Sequence, residues 1–201
     1  ADRFTRGLRF HTPEAVSLDG QTAYFEFLQS QGILLDGAER SRAIAEQTRK
    51  LVIDSGGDPD RLDAGLLEEI TNLVEAPTAL RGSFDPAHLA LPSEVLVSVM
   101  QKYQRYFPVY KADGSLLPHF IVIRNGNGQF LDVVADGNEQ VVRARFADAA
   151  FFIREDIKSS LQDFLPRLNT LTFQVKLGSM LDKTHRIEKL VEALIPMIQL
   201  A

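Results

Sequence analysis

The stretch "FPVYKADGSLLPHFIVIRN", Phe107–Asn125, decides the fold class. Two runs rich in β-branched and aromatic residues, "FPVY" and "LLPHFIVIRN", flank the polar segment "KADGS". Asp-Gly between two such runs is a hairpin signal, because both residues tolerate the backbone twist that a tight turn needs. The stretch therefore predicts an antiparallel pair. Upstream, "TALRGSF" predicts another strand. "RFTRGLRF" at 3–10 and "ILLD" at Ile33–Asp36 predict shorter ones, and "NGNGQFLDVVADGN" predicts a Gly/Asn turn with one more short strand.

Helical periodicity fills the gaps between these runs. "DGQTAYFEFLQSQ" predicts a short helix. "AERSRAIAEQTRKLVIDSGG" predicts a longer one, with Ile44, Thr48, Leu51 and Val52 on one face and Gly56–Gly57 as its stop. A third carries Leu66, Leu67, Ile70, Leu73 and Val74 inward and is ended by Pro77. "SEVLVSVMQKYQRYF" follows Pro92, a residue suited to a first helical turn. Val95, Leu96, Val99, Met100 and Tyr103 are expected to face a core, and Gln101, Lys102, Gln104 and Arg105 to face away. From about residue 157 the strand signal fades. In "MLDKTHRIEKLVEALIPMIQLA" the residues Leu181, Thr184, Ile187, Leu190, Val191 and Leu194 recur at helical spacing. The fold class is α+β, with an α+β module over 1–156 and a helical extension over 157–201.

One helix raises a problem. In "DGNEQVVRARFADAAFF", Asp136–Phe152, Asn138 is a candidate cap, and Val141, Val142, Phe146, Ala149 and Phe152 gather on one face with Arg145 among them. An arginine in an apolar stripe needs a partner. Asp148, Glu139 or a carboxylate from another element would serve. Arg145 is therefore expected to be a buried structural charge. Arg143 lies about 200° away on the helix wheel and is the better probe of solvent or phosphate.

Composition narrows the function classes. The chain has 201 residues, of which 45% are hydrophobic and 13 are Phe, enough for a substantial core. No apolar run approaches the roughly 20 residues that span a bilayer. The opening "ADRFTRGLRF" lacks a signal-peptide core and reads as a cut within a longer protein. Zero Cys excludes disulfides and thiolate metal sites and fits a reducing compartment. The net charge of −5 argues against indiscriminate nucleic-acid binding. Residues 1–100 hold 9 Lys/Arg against 16 Asp/Glu, whereas residues 101–201 hold 13 against 11. Any polyanion is better met by the second half.

No catalytic pattern stands out. His11, His88, His119 and His185 do not pair at metal-ligand spacing, and there is no HExxH or G-x-S-x-G. "NGNG", Asn125–Gly128, lacks the third glycine of a dinucleotide fingerprint and reads chiefly as a turn. Glu68–Glu69 and Glu155–Asp156 are adjacent on helices, so their carboxylates diverge. "QKYQRYFPVYK" interleaves aromatic and basic residues, a mixture that can stack bases and contact phosphates, although Tyr103 and Phe107 also fit a core face.

Four long blocks occur in order: "LLEEITNLVEAPTALRGSF", "ALPSEVLVSVMQKYQRYFPVYKADGSLLPHFIVIRNG", "GNEQVVRARFADAAFFIREDIK" and "FQVKLGSMLDKTHRIEKL". With the opening "TRGLRFHTPEAVSL" they resemble the beta subunit of the bacterial-type heterotetrameric glycyl-tRNA synthetase, across nearly the whole chain. The resemblance implies an internal fragment of that subunit. Its main body would resemble the editing-domain-like module of phenylalanyl-tRNA synthetase, and its last helices would lead toward an HD-type helical domain. The His-Asp doublet of that domain type is absent from these residues, so its metal chemistry does not carry over. Where the family shows "VEWP" this chain has Val74-Glu75-Ala76-Pro77, and where it shows "GHRF" it has Gly7-Leu8-Arg9-Phe10.

The resemblance also sets functional expectations. ATP, Mg and the glycine-activating centre belong to the alpha subunit, so the fragment is expected to hold no cofactor and to be inactive alone. Its expected role is support of tRNA(Gly) recognition in the cytoplasm, with the alpha subunit, tRNA(Gly) and the remaining beta domains as partners and no membrane. A pure assembly scaffold is the alternative, and a hydrolytic editing module comes last. Phosphate contacts are expected from Lys102, Arg105, Arg124, Arg143, Arg154 and Lys158, since backbone phosphates ask for long cationic side chains.

Overall fold

A computed structural model describes residues 3–9 and 14–197. His11 and the end of the first expected strand lie outside them. Two short strands, β1 (Phe4–Thr5) and β2 (Val16–Ser17), pair antiparallel. Three helices follow: α1 (Gln21–Ser30), α2 (Gly37–Asp54) and α3 (Ala64–Leu73). Next come β3 (Pro77–Ser83), α4 (Ser93–Ser98), β4 (Phe107–Tyr110) and β5 (Leu116–Asn125). The long helix α5 (Leu131–Asp156) leads to α6 (Leu161–Phe164), the hairpin β6 (Thr172–Gln174) and β7 (Gly178–Ser179), and α7 (Met180–Leu194). The α+β class is as expected, and every strand pairing is antiparallel. The chain divides into two units, Ala1–Ala150 and Phe151–Ala201, so the division falls within α5.

In the first unit a three-stranded sheet has the order β3-β5-β4. The Phe107–Asn125 hairpin supplies two of its strands, and Gly114 takes the left-handed turn conformation at φ 88. Successive side chains of a strand point to opposite faces. Leu116, Phe120 and Val122 of β5 join Leu80 of β3, Leu96, Met100, Tyr106, Val142 and Phe146 in one core. Ile121, between them, joins Phe107, Val109, Ile44, Val52, Leu66 and Ile70 in another. The sheet is thus covered by α2 and α3 on one side and by α4 and α5 on the other.

The helices start where their caps dictate. Asp36 accepts from the Glu39 N–H at 2.8 Å and opens α2, and Asp63 accepts from the Leu66 N–H at 2.7 Å and opens α3. Backbone N–H bonds, from Glu39 first and then from Ala38, hold the Asp36 carboxyl below its ordinary value. Asp36 therefore ends an extended segment instead of lying in a strand. The expected strand Ile33–Asp36 does not form. Arg40 Nη1 donates to the carbonyls of Leu34 at 2.6 Å and Leu35 at 3.3 Å, and Nε donates to the Thr71 carbonyl at 2.7 Å. A guanidinium takes the place of a neighbouring strand.

The expected strand within 125–138 is also absent, because α5 begins at Leu131 and runs through Gly137 and Asn138. Asn138 is not a cap. Its Nδ2 donates to the Val134 carbonyl at 2.7 Å, and its Oδ1 accepts from the Tyr106 hydroxyl. The buried stripe accordingly runs through Asn138, Val142 and Phe146, four residues apart. Val141 and Phe152 are exposed. Arg145 lies on the flank and is exposed too, with no ion pair among the described residues. The expectation of a buried, partnered Arg145 is therefore corrected. Tyr103, expected inward, is 61% exposed.

Strand β3 is a sheet edge, and two of its outward N–H groups are capped by side chains. Gln47 Oε1 accepts from the Ala79 N–H at 2.9 Å, and Glu139 Oε1 from the Ser83 N–H at 2.8 Å. Gly82 in the same strand lies under the ring of Phe120. A Cβ built there would stand 2.3 Å from Phe120 Cζ. We expect Gly82→Ala to destabilise the chain by about 1–3 kcal/mol, as overpacked cores do, seen as a lower urea midpoint at unchanged slope. Tyr106→Phe keeps the ring that stacks on Phe120 but strands Asn138 Oδ1. The same titration should show a loss of about 1–2 kcal/mol.

Candidate nucleic-acid interface

Three residues of the basic and aromatic run lie on one irregular segment. α4 continues without a break into a π-helical turn, Val99–Tyr103. The wider turn slows the rotation of side chains around the axis, so Met100 stays buried while Tyr103 swings outward. Arg105 then takes a left-handed backbone at φ 58, the conformation that commonly ends helices and usually falls to glycine. Its N–H donates to the Gln101 carbonyl at 3.0 Å, and the Tyr106 N–H reaches the Met100 carbonyl at 2.8 Å. Lys102 is exposed, with Nζ 6.0 Å from the centre of the Tyr103 ring. Arg105 Nε donates to Glu69 Oε1 in an ion pair.

Arg124 closes the turn that follows β5 by donating from Nη1 to the Gln129 carbonyl. Two further N–H groups at this turn are engaged, one by the residue before β3 and one within the turn. The Gly126 N–H donates to the Ala76 carbonyl at 2.8 Å, and the Gln129 N–H to Asn127 Oδ1 at 3.1 Å. With those N–H groups already engaged, this loop holds itself as a turn.

Arg143 is exposed on α5 and makes no hydrogen bond or ion pair among the described residues. It lines a cleft of about 440 Å³ with Ser83, Phe84, Asp85, His88 and Glu139. Ser83 Oγ and His119 Nδ1 are 3.0 Å apart behind it, as cross-strand partners in the β3–β5 ladder. Partial burial first, and then the Arg81 charge, hold His119 below the usual imidazole range, with Glu139 opposing them. The Ser83–His119 contact was not legible in the sequence, because it depends on the strand register.

In the second unit, Arg154 is exposed with its guanidinium carbon 5.8 Å from the Phe151 ring centre. Lys158 donates to Glu155 Oε1 at 2.7 Å and Oε2 at 2.8 Å. The structure therefore sorts the six expected cations. Arg105, Arg124 and Lys158 have protein partners. Lys102, Arg143 and Arg154 have no ion pair among the described residues, and the corrected Arg145 joins them. Lys102 and Arg105 lie close together on the π turn and the residues just after it, while Arg143 and Arg154 lie on α5. Among the described residues no group of three or more His, Asp or Glu could hold a metal ion, and no helix is long and apolar enough to cross a membrane.

The chain matches the family described as glycyl-tRNA synthetase beta subunit over residues 1–201. It is 46% identical over 186 residues to the glycine–tRNA ligase beta subunit of Clostridioides difficile (strain 630), which takes in 92% of this chain and 27% of that protein. To the same-named protein of Moorella thermoacetica (strain ATCC 39073 / JCM 9320) it is 44% identical over 200 residues, 100% of this chain and 29% of the relative. To that of Shouchella clausii (strain KSM-K16) it is 46% identical over 188 residues, 94% and 27%. The chain thus spans less than a third of the length of these curated relatives. Matched from end to end, it belongs to the glycyl-tRNA synthetase beta subunit family.

Proposed function

We propose that this chain is a non-catalytic part of glycyl-tRNA synthetase that supports recognition of tRNA(Gly) during aminoacylation. The observation that carries the reading is the set of exposed cations without a carboxylate partner, Lys102, Arg143 and Arg154, in a member of a tRNA-ligase family. A paired surface cation gains little from its protein partner, but an unpaired one is available to release counterions from a phosphate backbone. In this reading glycine activation, with its ATP and Mg, lies in the alpha subunit, and the enzyme works in the cytoplasm. The partners are the alpha subunit, tRNA(Gly) and the remaining beta domains. The first unit is an editing-domain-like module without hydrolytic activity, its Ser83–His119 contact serving the strand ladder.

A second reading makes the chain a scaffold for assembly of alpha and beta. The apolar face of α7 favours it, since Ile187, Leu190, Val191 and Leu194 are all exposed. The two readings part in one experiment on the whole alpha–beta enzyme. Lys102→Ala, Arg143→Ala and Arg154→Ala should each weaken tRNA(Gly) binding. Each lost phosphate contact should reduce the slope of log affinity against log salt by about one. Unchanged affinity and slope across all three, with altered subunit association, would establish the scaffold instead.

A further inference from the structure

We infer that Tyr103 is a stacking platform for an unpaired nucleobase, with Lys102 and Arg105 as the cations for the adjoining phosphate. This rests on the RNA-binding reading and names the part of the RNA that the π turn would take. The argument starts from the backbone. A regular helix would carry Tyr103 into the core beside Leu96 and Met100, seven and three residues back. The π turn prevents this and puts Tyr106 in the core instead. There Tyr106 stacks on Phe120 at 5.0 Å between ring centres, nearly parallel at 13°, and its hydroxyl reaches Asn138. Two tyrosines three residues apart are thus sent in opposite directions.

That arrangement is costly. A π turn is rare, and a left-handed arginine costs on the order of 1–2 kcal/mol. The π turn ends on Tyr103, the reversal at Arg105 follows two residues on, and Tyr103 is 61% exposed. Tyr103 belongs to neither buried core cluster, and at that exposure it gains little burial energy. What the position does supply is a flat π surface with a cation on either side in sequence. Lys102 Nζ stands 6.0 Å from the ring centre. The Arg105 ion pair uses Nε, and among the described residues no bond engages its terminal nitrogens. A nucleotide matches both halves of this patch, the base by its π face and the phosphate by its charge. The base must be unpaired, because a base within a duplex offers no free face. No base edge is read by such a platform, so the contact tolerates any base.

The test uses full-length beta assembled with alpha, and unmodified tRNA(Gly) as the probe. Tyr103→Ala should weaken binding about tenfold, the usual scale of one lost base stack. The loss should be equal at all salt concentrations, because stacking releases no counterions. Tyr103→Phe and Tyr103→Trp should retain binding, since each keeps a π face. A photocrosslinking phenylalanine at 103 should join a nucleotide in a loop or single-stranded end. Full binding by Tyr103→Ala, together with salt-slope losses for Lys102→Ala and Arg143→Ala, would overturn the platform and leave the RNA reading standing. Indifference of tRNA binding to all of these variants would overturn both. Crosslinks only to protein, or only to duplex RNA, would also overturn the platform.

Discussion

The fold depends on a strand that is buried on both of its faces. Phe120 and Ile121 are consecutive in β5, point opposite ways, and are both fully buried. A slip of one residue in the β3–β5 register would exchange the two cores, sending Phe120 toward α2 and α3 and leaving Ile121 to fill the space against α5. Gly82 helps to pin that register. Its missing side chain is the space that the Phe120 ring occupies, and its ladder partner is Phe120 itself. Any other residue placed opposite Phe120 by a slip would bring a Cβ into the ring. The edge is fixed in the same way, since Gln47 and Glu139 meet N–H groups of Ala79 and Ser83, four residues apart and on the same outward side. An odd slip would turn those N–H groups away from both helices.

This two-faced sheet explains what was legible in the sequence. Asp-Gly between two β-rich runs needs only local backbone preferences, and it located β4 and β5. The faces of α2 and α3 emerged in the main, because Ile44, Thr48, Val52, Leu66 and Ile70 recur at helical spacing and are buried as expected, whereas Leu73, expected inward with them, is exposed. What failed were features decided by distant partners. Ile33–Asp36 has strand composition, but Arg40 takes up two of its carbonyls. Asn138 has cap chemistry, but Tyr106 and Val134 occupy its amide within a continuous helix. Arg145 sits at the margin of the apolar face: the buried line of α5 runs through Asn138, Val142 and Phe146, and Arg145 falls beside it.

The cations show a different limit. Charge type could be read from the sequence, but engagement could not. Arg105 and Lys158 meet carboxylates, and Arg124 meets a carbonyl across its own turn, whereas Arg143 three turns into α5 meets none. An arginine whose phosphate-facing nitrogens are engaged, as Arg124 Nη1 is, must give up that bond before it can hold a phosphate, whereas Arg105 keeps its terminal nitrogens while Nε holds Glu69. A free guanidinium carries no such cost. Paired and unpaired cations on one surface are therefore unequal as polyanion contacts, although a sequence writes them alike.

The π turn joins these themes, because it uses core packing to decide what reaches the surface. Between Leu96 and Phe107 the chain must pass from a helix on one face of the sheet into a strand whose first residue is buried on the other. Tyr106 and Phe107 are adjacent and belong to opposite cores. A regular helix would fill the position of Tyr106 with Tyr103 and leave too much chain before β4. The extra residue accommodated by the π turn, and the reversal at Arg105, absorb that excess. The core thus dictates that one aromatic be expelled. It does not dictate that the expelled residue be a tyrosine, or that a lysine and an arginine stand beside it, and this is the part of the segment that packing leaves free for a ligand to explain.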